Sequence, residues 1–129
     1  MSAKTNLLYA EECYRIMGLV FRVFNEIGSG HKESFYQKAI ARSFRDSEIE
    51  FEEQLRCKLK YKGEDLGIYI LDFLVFNKII LELKQRDYFS QKDIKQLHRY
   101  LKVTGLRLGI IIHFTNNGVR YKRILNINN

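Results

Sequence analysis

Asp72 lies inside the apolar run Ile70-Leu71-Asp72-Phe73-Leu74-Val75, and the triplet Glu82-Leu83-Lys84 closes the next one, Ile79-Ile80-Leu81. A carboxylate set among leucine and β-branched neighbours loses hydration and needs a compensating partner. For two carboxylates that converge, the partner that suits them best is a divalent cation preferring oxygen ligands, Mg²⁺ or Mn²⁺. Such a cation activates a water. Lys84 shares a strand face with Glu82 and could orient that water or stabilise negative charge developing on a phosphate. The pattern therefore points to hydrolysis of a phosphodiester. In the competing reading, Asp72 and Glu82 simply pair with Lys84 at a solvated hairpin edge. That reading is the weaker one, because both runs look central and buried ion pairs seldom add net stability.

The three side chains act together only if the hairpin register puts them on one face. In an antiparallel pair, directly opposed residues share a face. A two-residue loop at Asn77-Lys78 would set Asp72 opposite Leu83, on the wrong side. A three-residue loop, Phe76-Asn77-Lys78, pairs Val75 with Ile79 and sets Asp72 opposite Glu82. Asn tolerates the left-handed conformation such a loop requires.

The remaining elements follow from periodicity. Apolar residues at Tyr9, Cys13, Ile16, Met17, Val20, Phe24 and Ile27 have helical spacing, so a helix runs from about Leu8 to Ile27 and stops at Gly28. A second helix is expected from His31 to about Arg45, with Phe35, Tyr36, Ala39 and Ile40 inward. Phe51 to Tyr61 alternates as a half-exposed strand, Tyr61 to Asp65 turns, and Ile68 to Val75 and Ile79 to Leu83 read as central strands covered on both faces. Ser90 with Asp93 resembles a capping box, and Gly105 ends a third helix whose buried stripe is Ile94, Leu97 and Leu101. Leu108 to Phe114 is a buried strand. Thr115 to Gly118 then turns into an edge strand, Val119 to Leu125, with alternating Arg and Lys.

The 129 residues are 46% apolar and 13% aromatic, enough for one domain with a core and too few for two, so 1–129 is read as a single domain. No apolar stretch reaches the ~20 residues that span a bilayer, and Met1 to Asn6 lacks a signal-peptide pattern. A soluble, cytoplasmic protein with no membrane partner is expected. Cys13 and Cys57 read as reduced thiols, and His31, His98 and His113 lack ligand spacing and read as surface or satisfied interior residues. The formal net charge of +7 suits a polyanionic partner, although solubility alone could explain it. Position favours nucleic acid, because Lys84, Arg86, Lys92, Lys95, Arg99 and Lys102 follow the acidic triplet in one short segment.

Gly30-x-x-Glu33-x-x-Tyr36, followed by Asp72 and Glu82-x-Lys84, resembles the GxxExxY family, a small-protein branch of the PD-(D/E)XK nuclease superfamily. The resemblance runs from about Leu8 to Ile124 and takes in Gly63, Gln96-x-x-x-Tyr100-Leu101-Lys102 and Thr104-Gly105-Leu106. It implies that Asp72 and Glu82 bind the metal, with the Leu83 carbonyl as a further ligand, and that Lys84 is the catalytic lysine. Glu33 would complete the acidic pocket directly or through water. On local grounds, Glu33 reads equally well as a first-turn glutamate favoured by the helix dipole. Gln96 and Tyr100 share a helix face and resemble a Q-x-x-x-Y element placed near the site, though core packing explains Tyr100 nearly as well. Leu71 stands where the superfamily pattern has proline.

The expectation is thus an α/β domain of restriction-endonuclease-like architecture, a mixed central sheet flanked by helices in the order ααβββαββ. Its expected activity is that of a Mg²⁺- or Mn²⁺-dependent nuclease of low sequence specificity acting on DNA. Gln96, Tyr100, Lys92, Lys95 and Arg99 are the expected nucleic-acid contacts. The alternative is a catalytically inactive module of the same fold that binds nucleic acid or a protein partner, and a homo-oligomer stays open.

Overall fold

The computed structural model describes residues 7–127, and the Met1 to Asn6 segment read for a signal lies outside them. Helix α1 spans Ala10–Ile27 and buries Cys13, Ile16, Met17, Val20 and Val23, the three-and-four spacing of one helix face. Helix α2, Glu33–Asp46, starts two residues later than its sequence suggests. Its phase also differs in one respect. Phe35 is 51% exposed rather than inward, because Tyr36, one residue on, is the anchor of the buried stripe. Tyr36 stacks on Phe114 with ring centroids 4.0 Å apart and donates its hydroxyl to the Gly28 carbonyl at 2.7 Å, fixing the turn between the helices.

Five strands follow: β1 (Phe51–Tyr61), β2 (Glu64–Val75), β3 (Ile79–Lys84), β4 (Leu108–Thr115) and β5 (Gly118–Leu125), with helix α3 (Gln91–Thr104) between β3 and β4. They form one sheet in chain order, antiparallel except for the β3–β4 pair. The parallel pair needs a crossover, and α3 supplies it. Helices α1 and α2 cover one face through a core that includes Ile16, Ile40, Phe44, Phe73, Leu81 and Phe114. On the other face α3 packs Leu97, Tyr100 and Leu101 against Leu71, Ile80, Ile111 and Ile124. Among the described residues no helix is long and apolar enough to cross a membrane.

The β1–β2 hairpin departs from the sequence reading. Its chain reversal is the two-residue Lys62-Gly63, both at positive φ, and β2 begins at Glu64 instead of Ile68. Only Phe73, Leu74 and Val75 of β2 pair with β3, so the earlier half of β2 pairs with β1 alone. Ile68 and Ile70 are consequently exposed, whereas an apolar run suggested a strand covered on both sides. The faces also exchange midway: Phe73 packs on the α1/α2 side and Leu71 on the α3 side, although regular strand geometry would put both on one face. The exchange falls at Asp72. Gln54, opposite it in the register, has a left-handed φ of 51°.

Helix α3 is capped as its sequence suggests: the Ser90 hydroxyl accepts from the Lys92 and Asp93 amides, and Gly105 takes the left-handed φ of 75° that ends it. Its approach to the sheet depends on Gly109. A Cβ there would lie 2.8 Å from both terminal carbons of Leu97, itself 1% exposed and without room to move. Gly109→Ala should therefore cost about 1–3 kcal/mol in urea unfolding, the usual penalty of overpacking a core. A cost near zero would show that α3 can lift from β4 freely.

Candidate active site

The β2–β3 turn is the three-residue loop expected from the chemistry. Val75 pairs with Ile79, and Phe76 and Asn77 both adopt left-handed φ, 55° and 60°. Lys78 closes the loop onto α1 through a 3.0 Å ion pair with Glu12. Continuing the register past Phe73–Leu81 brings Asp72 opposite Glu82. There the backbone ladder stops. The Leu83 amide donates instead to the Asp72 carboxylate at 2.8 Å, so a side chain takes the place of a strand carbonyl.

The two carboxyl groups have strongly unequal environments. Glu82 is 8% exposed, and its pKa is pushed up to about 9, first by burial and then by the neighbouring Asp72 carboxylate, with Lys84 only partly opposing the rise. Tyr100 of α3 lies against the same pair. Burial, then Glu82 and Asp72, raise its phenol to about 12, so it stays protonated and remains a donor. Its ring leans on Tyr69 of the hairpin at 4.9 Å between centroids. Lys84 points to the α3 side, 3.8 Å from Asp93, which also holds Arg86 at 3.0 Å.

Glu33 reaches the end of β3 from the opposite face of the sheet. Its carboxylate accepts from the Gln85 amide at 3.0 Å, one residue beyond Lys84. Among the described residues no three His, Cys, Asp or Glu side chains lie close enough together to hold a metal ion, so Glu33 does not join Asp72 and Glu82 as a third ligand in this conformation. Gln96 is half-buried one turn before Tyr100 on α3, while Lys92, Lys95 and Arg99 are exposed. Lys95 and Arg99 line an open cavity of about 1000 Å³ with His98, Lys102 and the end of β5.

Two features escaped the sequence reading. Asp93 looked like half of a capping box, yet its carboxylate serves Arg86 and Lys84 instead of the Ser90 amide. His113 is not a satisfied interior histidine: it is fully buried, stacked on Phe89 at 4.0 Å, and among the described residues neither ring nitrogen has a hydrogen-bond partner. The alternation of Arg120 and Lys122 along β5 was the available signal for what surrounds it.

A five-stranded mixed sheet carries helices on both faces, and Asp72, Glu82 and Lys84 lie where two of its central strands part. The family model of the PD-(D/E)XK nuclease superfamily matches residues 10–124, and the chain belongs to that superfamily. Among solved structures, an alkaline exonuclease (LHK-Exo) from Laribacter hongkongensis is similar in fold, with a TM-score of 0.54 at 14% identity over 98% of this chain and 72% of that one. The same exonuclease in complex with dAMP gives a TM-score of 0.54 at 13% identity, over 92% and 71% of the two chains. At these identities the likeness concerns the fold alone. No curated protein matches the chain in sequence.

Glu82 makes the site's electrostatics measurable. Its folded pKa is raised, from 4.5 to about 9, so between those values the folded state holds a proton that the unfolded chain has released. Its contribution to stability is complete below pH 4.5 and is lost as pH rises toward 9. In chelator, the melting temperature of the wild type should fall across that window relative to Glu82→Gln, which has no proton to lose. Parallel pH profiles for the two proteins would show that Glu82 is ionised in the folded state at neutral pH.

Proposed function

We propose that this protein is a divalent-cation-dependent nuclease of the GxxExxY branch, hydrolysing phosphodiester bonds in DNA with low sequence specificity. The observation that carries the reading is the Asp72–Glu82 pair: a buried carboxyl, pushed toward its protonated form, opposite a second carboxyl that accepts from the Leu83 amide. A cation is the natural replacement for that proton. Asp72, Glu82 and the Leu83 carbonyl would hold Mg²⁺ or Mn²⁺, ions that prefer oxygen ligands and keep several waters. The cation, when bound, supplies Lewis acidity at the phosphate and an acidified water.

The chain's own residues do the remaining work. Asp72 is oriented by the Leu83 amide. Lys84 follows Glu82 on the same strand face, where it can hold the attacking water or neutralise charge on the phosphate. Asp93 sets the position of that ammonium group from the α3 side. Tyr100, whose hydroxyl stays protonated beside the carboxylates, would donate to a phosphate oxygen bound there. Glu33 fixes the backbone just past Lys84 and becomes a ligand only if the Gln85 contact opens. Contacts of Lys92 and Arg99 to phosphate add affinity without reading sequence.

The test is cleavage of circular and linear DNA, single-stranded and duplex, and of RNA, each with Mg²⁺, Mn²⁺ or chelator. Asp72→Ala, Glu82→Ala and Lys84→Ala should each nearly abolish cation-dependent cleavage while circular dichroism stays native. A double variant should be little worse than a single one, since residues acting on one transition state fail together. Binding without cleavage under every condition would support the inactive module instead, and full activity in Glu82→Ala would remove the site assignment.

A further inference from the structure

The register carries the site further across the sheet. Lys84 of β3 lies beside His113 of β4, and His113 is opposite Arg120 of β5. The preceding row runs Glu82, Ile111, Lys122. Paired residues share a face, and Ile111 and Ile124 pack under α3, so Arg120 and Lys122 project on the same side as the catalytic pair. Strands lie about 4.8 Å apart, which puts the roots of these two side chains on the order of 10 Å from Lys84 and Glu82.

Both cations converge on one ring. The Arg120 guanidinium and the Lys122 ammonium each lie 5.8 Å from the centroid of Phe89, which rests on buried His113. Neither forms an ion pair among the described residues. Asp93, the acid facing this cluster, is already shared between Arg86 and Lys84. The surplus of positive charge registers on His113: burial lowers its pKa, Asp93 pulls it back up, and Arg86, Arg120 and Lys84 push it down again. By contrast, Lys95 and Lys102 stand roughly 140–160° around α3 from Leu97, which packs on the sheet. They line the cavity at the end of β5, on the side of the helix away from Tyr100.

We propose that Arg120 and Lys122 form a phosphate clamp that holds the nucleic-acid backbone beside the scissile bond, leading the bound strand across the ends of β4 and β5, past the Lys92 and Arg99 edge of α3 and not along its Lys95 and Lys102 side. The location of the scissile bond rests on the nuclease reading, whereas the clamp as a binding surface does not. The aromatic ring keeps the two cations in place, so they meet phosphate already ordered.

Binding of fluorescein-labelled DNA, duplex and single-stranded, is measured by anisotropy in chelator across a salt series. The variants are Arg120→Gln/Lys122→Gln, which keeps side-chain bulk on the exposed strand, and Lys95→Gln/Lys102→Gln as the comparison. Each lost phosphate contact takes about one unit from the log–log salt slope, so the β5 pair should flatten it by about 2 on duplex and the α3 pair should leave it unchanged. With cation present, the β5 variant should raise KM and keep kcat. A wild-type slope in the folded β5 variant, or a loss confined to the α3 variant, would overturn the clamp. Glu82→Ala separates the two readings. Cleavage lost in Glu82→Ala with an unaltered β5 slope rejects the clamp alone, while cleavage retained with a flattened slope rejects the nuclease centre and leaves the clamp as a binding surface.

Discussion

The hydrogen bond from the Leu83 amide to the Asp72 carboxylate is the contact on which the site's geometry hangs. Two adjacent strands normally satisfy each other's backbone groups along their length. Here β2 leaves β3 after three paired residues, and a side chain takes over the next amide. The departing strand would otherwise strand a donor in a nearly dry interior, at a cost comparable to a lost hydrogen bond. Asp72 thus makes the separation tolerable and is itself oriented by it. The face exchange at the same residue lets the hairpin beyond it close over α3, bringing Tyr69 onto Tyr100 and walling one side of the carboxylate pair.

The charges are arranged in alternation around that separation. Asp72 and Glu82 crowd one another, Lys84 and Arg86 follow along the chain, Asp93 holds these two from α3, and Arg120 lies beyond His113. Each group offsets its neighbour except at the two ends. At one end burial and the Asp72 carboxylate together push Glu82 toward its protonated form. At the other, neither cation on the Phe89 ring forms an ion pair among the described residues. A cation at the first end and a polyanion at the second would relieve both imbalances, and a nuclease brings those two ligands together.

Much of this was legible in the sequence, because the informative residues obey local rules. A three-residue loop followed from asking which register puts Asp72 and Glu82 together, and Ser90, Gly105 and the period of α1 marked their helices directly. What sequence could not give were facts set by packing at a distance. Phe35 and Tyr36 are both aromatic, and only the position of Phe114 decides which one is buried. Asp93 has the type and spacing of a cap, so its partnership with Lys84 is visible only once β3 and α3 are adjacent. Ile68 and Ile70 look interior by composition and are exposed because β3 is too short to reach them.

Those two isoleucines bear on how the positive charge should be read. In the hairpin register Ile70 is opposite Arg56 and Ile68 opposite Lys58, so each exposed apolar side chain has a cation beside it on the outer face of an edge strand. A long hairpin with uncovered isoleucines invites pairing with another chain, and lysine and arginine at the edge are a common defence against it. Part of the +7 charge therefore lies along this hairpin and not beside the carboxylate pair. Two proteins of this fold with equal net charge could differ widely in affinity for nucleic acid, according to how many of their cations guard an edge and how many face the cleft.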